Sequence, residues 1–125
     1  MNIRDLIRII DGTLINSSTN LNREIKGGFG ADLMSDVLAS IQPEAVLLTG
    51  LCNPQVVRTA VMADVAAIVI VRGKTPPIET IKLANNENIP LISTPFGMFE
   101  MCGRLFQSGL VSLESPVSPE DCKCE

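Results

Sequence analysis

Gly73-Lys74-Thr75 sets a lysine and a hydroxyl directly behind a glycine, the residue types that close a phosphate-binding loop. That loop needs another glycine five residues before Gly73, where Ile68 stands inside an apolar run, and Pro76-Pro77 follow with no N–H to offer a phosphate. Nucleotide hydrolysis is therefore not expected here. Gly27-Gly28-Phe29-Gly30 carries part of a dinucleotide fingerprint, but Leu33 occupies the third glycine position. A tight turn or close backbone approach is its expected role, and the N–H groups of Gly27 and Gly28 are candidate anion contacts. Cys122-Lys123-Cys124 offers two thiolates, whereas a closed zinc site takes four ligands and the chain has no histidine. Neither metal nor cofactor is expected, and Cys122 and Cys124 are the metal candidates that remain. Without His or Tyr, a Ser or Cys nucleophile has no such base, and no phenol can serve as acid. Asp32, Asp36 and Asp64 read as helix caps and solvated charges.

One grouping points to binding. If consecutive strand–loop–helix units share a parallel sheet, their C-terminal strand ends fall along one edge, where open α/β sheets hold ligands. That edge gathers Thr49, Gly50, Cys52, Asn53, Arg72, Gly73, Lys74, Ser93 and Thr94. Helix N-termini aimed at the same edge favour an anion. The competing reading makes these residues simple caps and turns.

The elements that must position this edge are legible between Ala45 and Gly109. Ala45–Gly50, Ala66–Val71 and Pro90–Ser93 are short aliphatic runs of the kind that form strands buried on both faces. Asn53-Pro54, Thr75-Pro76 and Thr94-Pro95 each offer a capping side chain followed by a proline suited to the first helical position. Apolar stripes follow at helical spacing: Val56, Val57, Ala60, Val61 and Met62; then Ile78, Ile81 and Ala84; then Met98, Phe99, Cys102, Leu105 and Phe106. Gly109 is expected just past the last helix, with Leu110 packing back beneath it. Upstream, Ile3–Ile10 reads as a helix, Gly12–Asn16 as a strand, and Arg23–Phe29 as a strand or a glycine turn. Asp32 is expected to cap a helix bearing Met34, Val37, Leu38 and Ile41. These units imply an α/β fold with a mostly parallel central sheet and right-handed crossovers.

The bulk properties fit one domain. The chain has 125 residues, 46% hydrophobic and 19% charged, which places it among globular proteins. Its four aromatics are all Phe, so the core is aliphatic and stacking platforms for single strands are lacking. A net charge of −4 argues against nucleic acid, whose phosphates recruit Lys and Arg. No signal peptide or membrane span is expected, and the scattered cysteines fit a reducing cytoplasm. Residues 1–110 are expected to form the domain and residues 111–125, with two Ser-Pro steps, a loose tail.

Asn22-Arg23-Glu24-Ile25-Lys26-Gly27-Gly28 with Asp32–Leu38, then Leu48–Ala60, Arg72-Gly73-Lys74 and Ser93-Thr94 with Met98-Phe99, resembles the signature blocks of DRTGG domains. The resemblance spans about Met1 to Leu110, with Asn22 and Lys26 standing at the name-giving Asp and Thr. It implies a three-layer fold like the amino-terminal domain of HPr kinase/phosphorylase, in a stand-alone member. Such domains also occur in phosphotransacetylases and CBS-containing pyrophosphatases, as regulatory or dimer-forming parts with catalysis elsewhere. The resemblance implies a non-catalytic cytoplasmic module that forms a homodimer, meets a protein partner, and senses a small anionic or nucleotide ligand. The rival expectation is an accessory of iron hydrogenase or other redox machinery, with the tail cysteines holding metal.

Overall fold

Aliphatic runs too apolar to face water on either side become the middle of a five-stranded sheet. The computed structural model describes residues 1–17, 20–114 and 116. In chain order the elements are α1 (Ile3–Ile9), β1 (Thr13–Leu14), β2 (Gly27–Gly30), α2 (Met34–Ser40) and β3 (Ala45–Thr49). They continue with α3 (Pro54–Met62), β4 (Ala67–Ile70), α4 (Ile78–Asn86), β5 (Leu91–Ser93) and α5 (Met98–Gln107). The strand order is β1-β5-β4-β3-β2, with β2 to β5 parallel and β1 antiparallel at the edge. Register places Gly27 beside Ala45, Thr49 beside Ile70, and Ile70 beside Ser93.

Because each new parallel strand is added on the same side, right-handed crossovers put α2, α3 and α4 on one face. There Val37, Val56, Val57, Ala60 and Ala84 pack on Leu47, Ile68, Ile70 and Leu91. The alternate residues Val46, Leu48, Val69 and Ile92 face Ile3, Leu6, Met101 and Leu105 of α1 and α5. The result is the three-layer, mostly parallel α/β fold the sequence implies. Asn2 starts α1 with a reciprocal capping box to Asp5. Buried Asn16 prolongs the β1 edge by donating to Ile89 O (2.6 Å) and accepting from Leu91 N (2.9 Å). Gly109, at φ +100°, follows α5, and Leu110 N returns to Leu105 O (3.0 Å) as expected.

Several local expectations need correction. Asn53 caps α3 through Val56 N, with Pro54 in its first turn, but the other two helices start later than their Thr-Pro steps. A residue before proline is driven to extended backbone, so consecutive Pro76-Pro77 delays α4 until Ile78, behind an N-cap Pro77. Thr94 does not cap α5; its buried hydroxyl donates to Ile10 O (2.7 Å) and accepts from Phe96 N (3.3 Å), and the helix begins after Gly97. Asp32 does not cap α2 either, since Leu33 holds that place without a side-chain bond. On α5 the buried residues are Met101 and Leu105, while Phe99 and Phe106 face solvent. On α3, Val61 and Met62 are likewise exposed, as is Leu38 of α2.

Residues 111–113 run along the outer edge of β2: Gly28 N donates to Val111 O (2.8 Å) and Leu113 N to Gly28 O (3.2 Å). No helix among the described residues is long and apolar enough to cross a membrane.

Candidate functional site

The parallel strands β3, β4 and β5 deliver Thr49, the Val71–Lys74 turn and Ser93 to one edge. Across that edge the candidate residues divide into a closed half and an open half.

In the closed half, at the end of β3, the Asp32 carboxylate accepts from Gly50 N (2.7 Å) and from the Thr49 hydroxyl (3.1 Å). The Thr49 hydroxyl oxygen also accepts from Leu51 N (3.2 Å). Lys74 reaches across from the neighbouring turn and donates to Gly50 O (2.7 Å). Asn53 is occupied as a helix cap, and Thr80 on α4 donates to Cys52 O (2.8 Å). An N–H that a phosphate would want at Gly50 is thus already given to a carboxylate. This loop is an internal clamp between β2, β3 and β4.

In the open half, β4 ends in a left-handed turn, Arg72 at φ +66° and Gly73 at φ +62°. Its backbone is fixed by Arg72 N to Phe96 O (2.8 Å) and Gly73 N to Thr94 O (2.8 Å). A Cβ built on Gly73 would meet nothing within 4 Å, so this glycine is required by backbone conformation and not by crowding. Beside the turn lies a cleft of about 390 Å³ lined by Asp11, Thr13, Ile15, Gly73, Lys74, Thr75, Ser93 and Pro95. Ser93 Oγ approaches Lys74 O at 3.3 Å. Arg72 is exposed and makes no side-chain ion pair among the described residues. Chemically the cleft offers an ammonium, a nearby guanidinium, hydroxyls, one carboxylate and two apolar walls.

The structure therefore brings Thr49, Gly50, Asn53, Arg72, Gly73, Lys74, Ser93 and Thr94 to one edge, but leaves only Gly73, Lys74 and Ser93 lining the cleft, with Arg72 next to it. Gly27 and Gly28 stand apart. They pair with Ala45 and Val46, the first residues of β3, at the opposite end of the strands. A Cβ on Gly27 would lie 2.5 Å from Leu113 Cγ and 2.6 Å from Val111 O, so its role is the close backbone approach the glycine cluster suggested.

Asp11, Thr13, Ile15 and Pro95 were not site candidates, because a sequence that reads Gly12–Asn16 as a strand does not say that it pairs antiparallel with β5 and so borders this edge. Asp32 gave one usable signal, an acid just past a strand end in a parallel unit. Among the described residues no group of three or more His, Cys, Asp or Glu could hold a metal ion. Cys122 and Cys124 lie outside the described residues. Burial pushes the Cys102 thiol upward, so it stays protonated and poorly reactive.

The DRTGG domain family matches residues 5–108 of the chain. No curated protein has significant sequence similarity to it. Among solved structures, the chain is similar to the CBS and DRTGG domains of the regulatory region of Clostridium perfringens pyrophosphatase, complexed with the activator diadenosine tetraphosphate. The two share 17% identity at a TM-score of 0.67, over 88% of this chain and 48% of that one. The chain thus spans about half the length of that structure, and the likeness establishes the fold.

Proposed function

The chain belongs to the DRTGG domain family, and from that premise we propose that it is a non-catalytic, cytoplasmic regulatory module. It works as a homodimer and holds a small anionic ligand of the nucleotide class in the cleft beside Gly73. The observation that carries this reading is the left-handed Arg72-Gly73 turn followed by Lys74, with Gly73 and Lys74 lining a cleft of about 390 Å³ and the exposed Arg72 adjoining them in the chain.

The chemistry of the cleft favours a nucleotide over a bare anion. Lys74 and Arg72 supply charge for phosphate oxygens, Asp11 can accept from a ribose hydroxyl, and Ile15 and Pro95 offer an apolar surface to a base. Two further points support a regulatory role. The similar pyrophosphatase structure is a regulatory region with an adenine dinucleotide as activator. The edge hydroxyls of Thr49 and Thr94 are fully buried, which withholds them from a substrate. Free thiols at Cys52 and Cys102 suit a reducing compartment.

Calorimetric titration of the purified protein with ATP, diadenosine tetraphosphate and pyrophosphate tests the reading. ATP or the dinucleotide should bind more tightly than pyrophosphate. Arg72→Ala with Lys74→Ala should weaken binding by at least about tenfold, the loss of charge-assisted hydrogen bonds. No binding, or affinity unchanged in the double variant, refutes the site.

A further inference from the structure

Half of the chain's phenylalanines are displayed to solvent on one helix. Phe99 is 93% exposed and Phe106 75% exposed, in a protein whose aromatics are four Phe in all. At about 100° per residue they lie roughly 20° apart around α5 and about 10 Å apart along it, forming one ridge. Gly103 sits beside that ridge, and a Cβ built there would meet nothing within 4 Å. A groove of about 400 Å³ opens at the same place, bordered by Phe99, Glu100, Gly103, Arg104 and Gln107. On the far side of the groove from the phenylalanines, Glu100 and Arg104 form an i,i+4 ion pair (3.0 Å).

We propose that this face of α5 is the surface on which a second copy of the chain docks, its own α5 crossing antiparallel at Gly103. The proposal rests on the homodimer reading and names its surface. The argument for a second copy is self-complementarity. A two-fold axis lying between the helices reverses their direction while keeping each ridge on its own side. Phe99 then meets the partner's Phe106, and Glu100 meets Arg104 of the partner subunit. Both pairings centre on the level of residues 102 and 103, so one axis satisfies the aromatic ridge and the charged ridge together. Gly103 lies at the crossing, where a missing side chain lets helix backbones approach and the groove receives a phenyl ring. Four phenylalanines burying roughly 150–250 Å² each supply at least half of the ~1,200 Å² that a specific interface buries.

Sedimentation of the full chain at micromolar concentration reads the outcome. The wild type should sediment at twice 13.4 kDa. Phe99→Glu with Phe106→Glu should give monomer with an unchanged circular dichroism spectrum and unchanged nucleotide binding. Glu100→Arg alone should weaken the dimer about tenfold by setting arginines against each other, and adding Arg104→Glu should restore it. With the four native cysteines replaced by serine, Gly103→Cys should form a disulfide-linked dimer on mild oxidation. A wild-type dimer that ignores the phenylalanine and charge variants overturns this face and leaves the homodimer reading standing. A wild type that stays monomeric overturns both. A monomer that captures a different protein through Phe99 and Phe106 also refutes the second copy.

Discussion

Gly50 and Gly73 end neighbouring parallel strands and precede proline-led helices, yet they have opposite fates. Around Gly50, a carboxylate from the β2–α2 loop, a threonine hydroxyl and the Lys74 ammonium use up the polar groups of the turn. Around Gly73 the backbone is fixed just as firmly, but a cleft opens beside it: Lys74 is shared between the clamp and the cleft, and the exposed Arg72 makes no ion pair among the described residues. One sequence grammar thus yields a closed clamp in one place and an open cleft in the next. A strand end stays open only where a neighbouring loop has not already supplied a ligand of its own. Asp32 is that internal ligand for β3.

The sharpest way to break this contrast is Asp32→Ala. Two donors lose a charged acceptor, and because Asp32 is exposed, water replaces part of the loss. Stability should fall by about 1.5 kcal/mol in urea, while nucleotide affinity changes less than about twofold. A loss under about 0.5 kcal/mol means that the clamp is not holding the loop.

The glycines themselves make a paired test. Gly73→Ala should cost about 1 kcal/mol because an L side chain resists positive φ, even though the space is empty. Gly50→Ala meets only ordinary contacts, Asp32 Oδ1 at 3.5 Å and Lys74 Nζ at 3.6 Å, and should shift stability by less than about 0.5 kcal/mol. The reverse order would mean that crowding, not backbone conformation, selects glycine at this edge.

The smallest effect lies at the other end of β3. Glu44 is paired with Lys26, whose hydrogen bond and charge hold its carboxyl below the ordinary 4.5. A lowered folded pKa stabilises the charged form. The contribution is present above the unfolded value and fades as pH falls through the folded one. Lys26→Met should return the Glu44 titration, followed by carboxyl carbon resonances, toward 4.5. Added salt should shrink the wild-type shift. An unmoved Glu44 would show that the pair does not persist in solution.

Much of the fold could be read from local chemistry. Ala45–Thr49, Ala67–Ile70 and Leu91–Ser93 are apolar at every central position, and only strands covered on both faces suit such runs. Asn53-Pro54 fixed a helix start because cap and proline act within one turn. At Thr94-Pro95 the hydroxyl accepts from Phe96 N within a turn and donates to Ile10 O, far away in sequence, and the helix starts only after Gly97. On α5 the stripes of Phe99 and Phe106, and of Met101 and Leu105, both satisfy a helical period, so periodicity could not say which faces the sheet.

The edge candidates were found for a sound reason, since parallel units must align their strand ends. Which of them remain available for a ligand depends on long-range partners. Asp32 and Gly50 are 18 residues apart, Lys74 and Gly50 are 24. The amino-acid sequence by itself determined the parallel units, the aliphatic core and the glycine end of the last helix at Gly109, because these follow from side-chain shape and backbone preference over a few neighbours. Only the tertiary structure decided that the Gly50 turn closes, that the Gly73 turn stays open, and that two phenylalanines of α5 face outward. Each of those outcomes is a competition between partners that meet only once the sheet has formed.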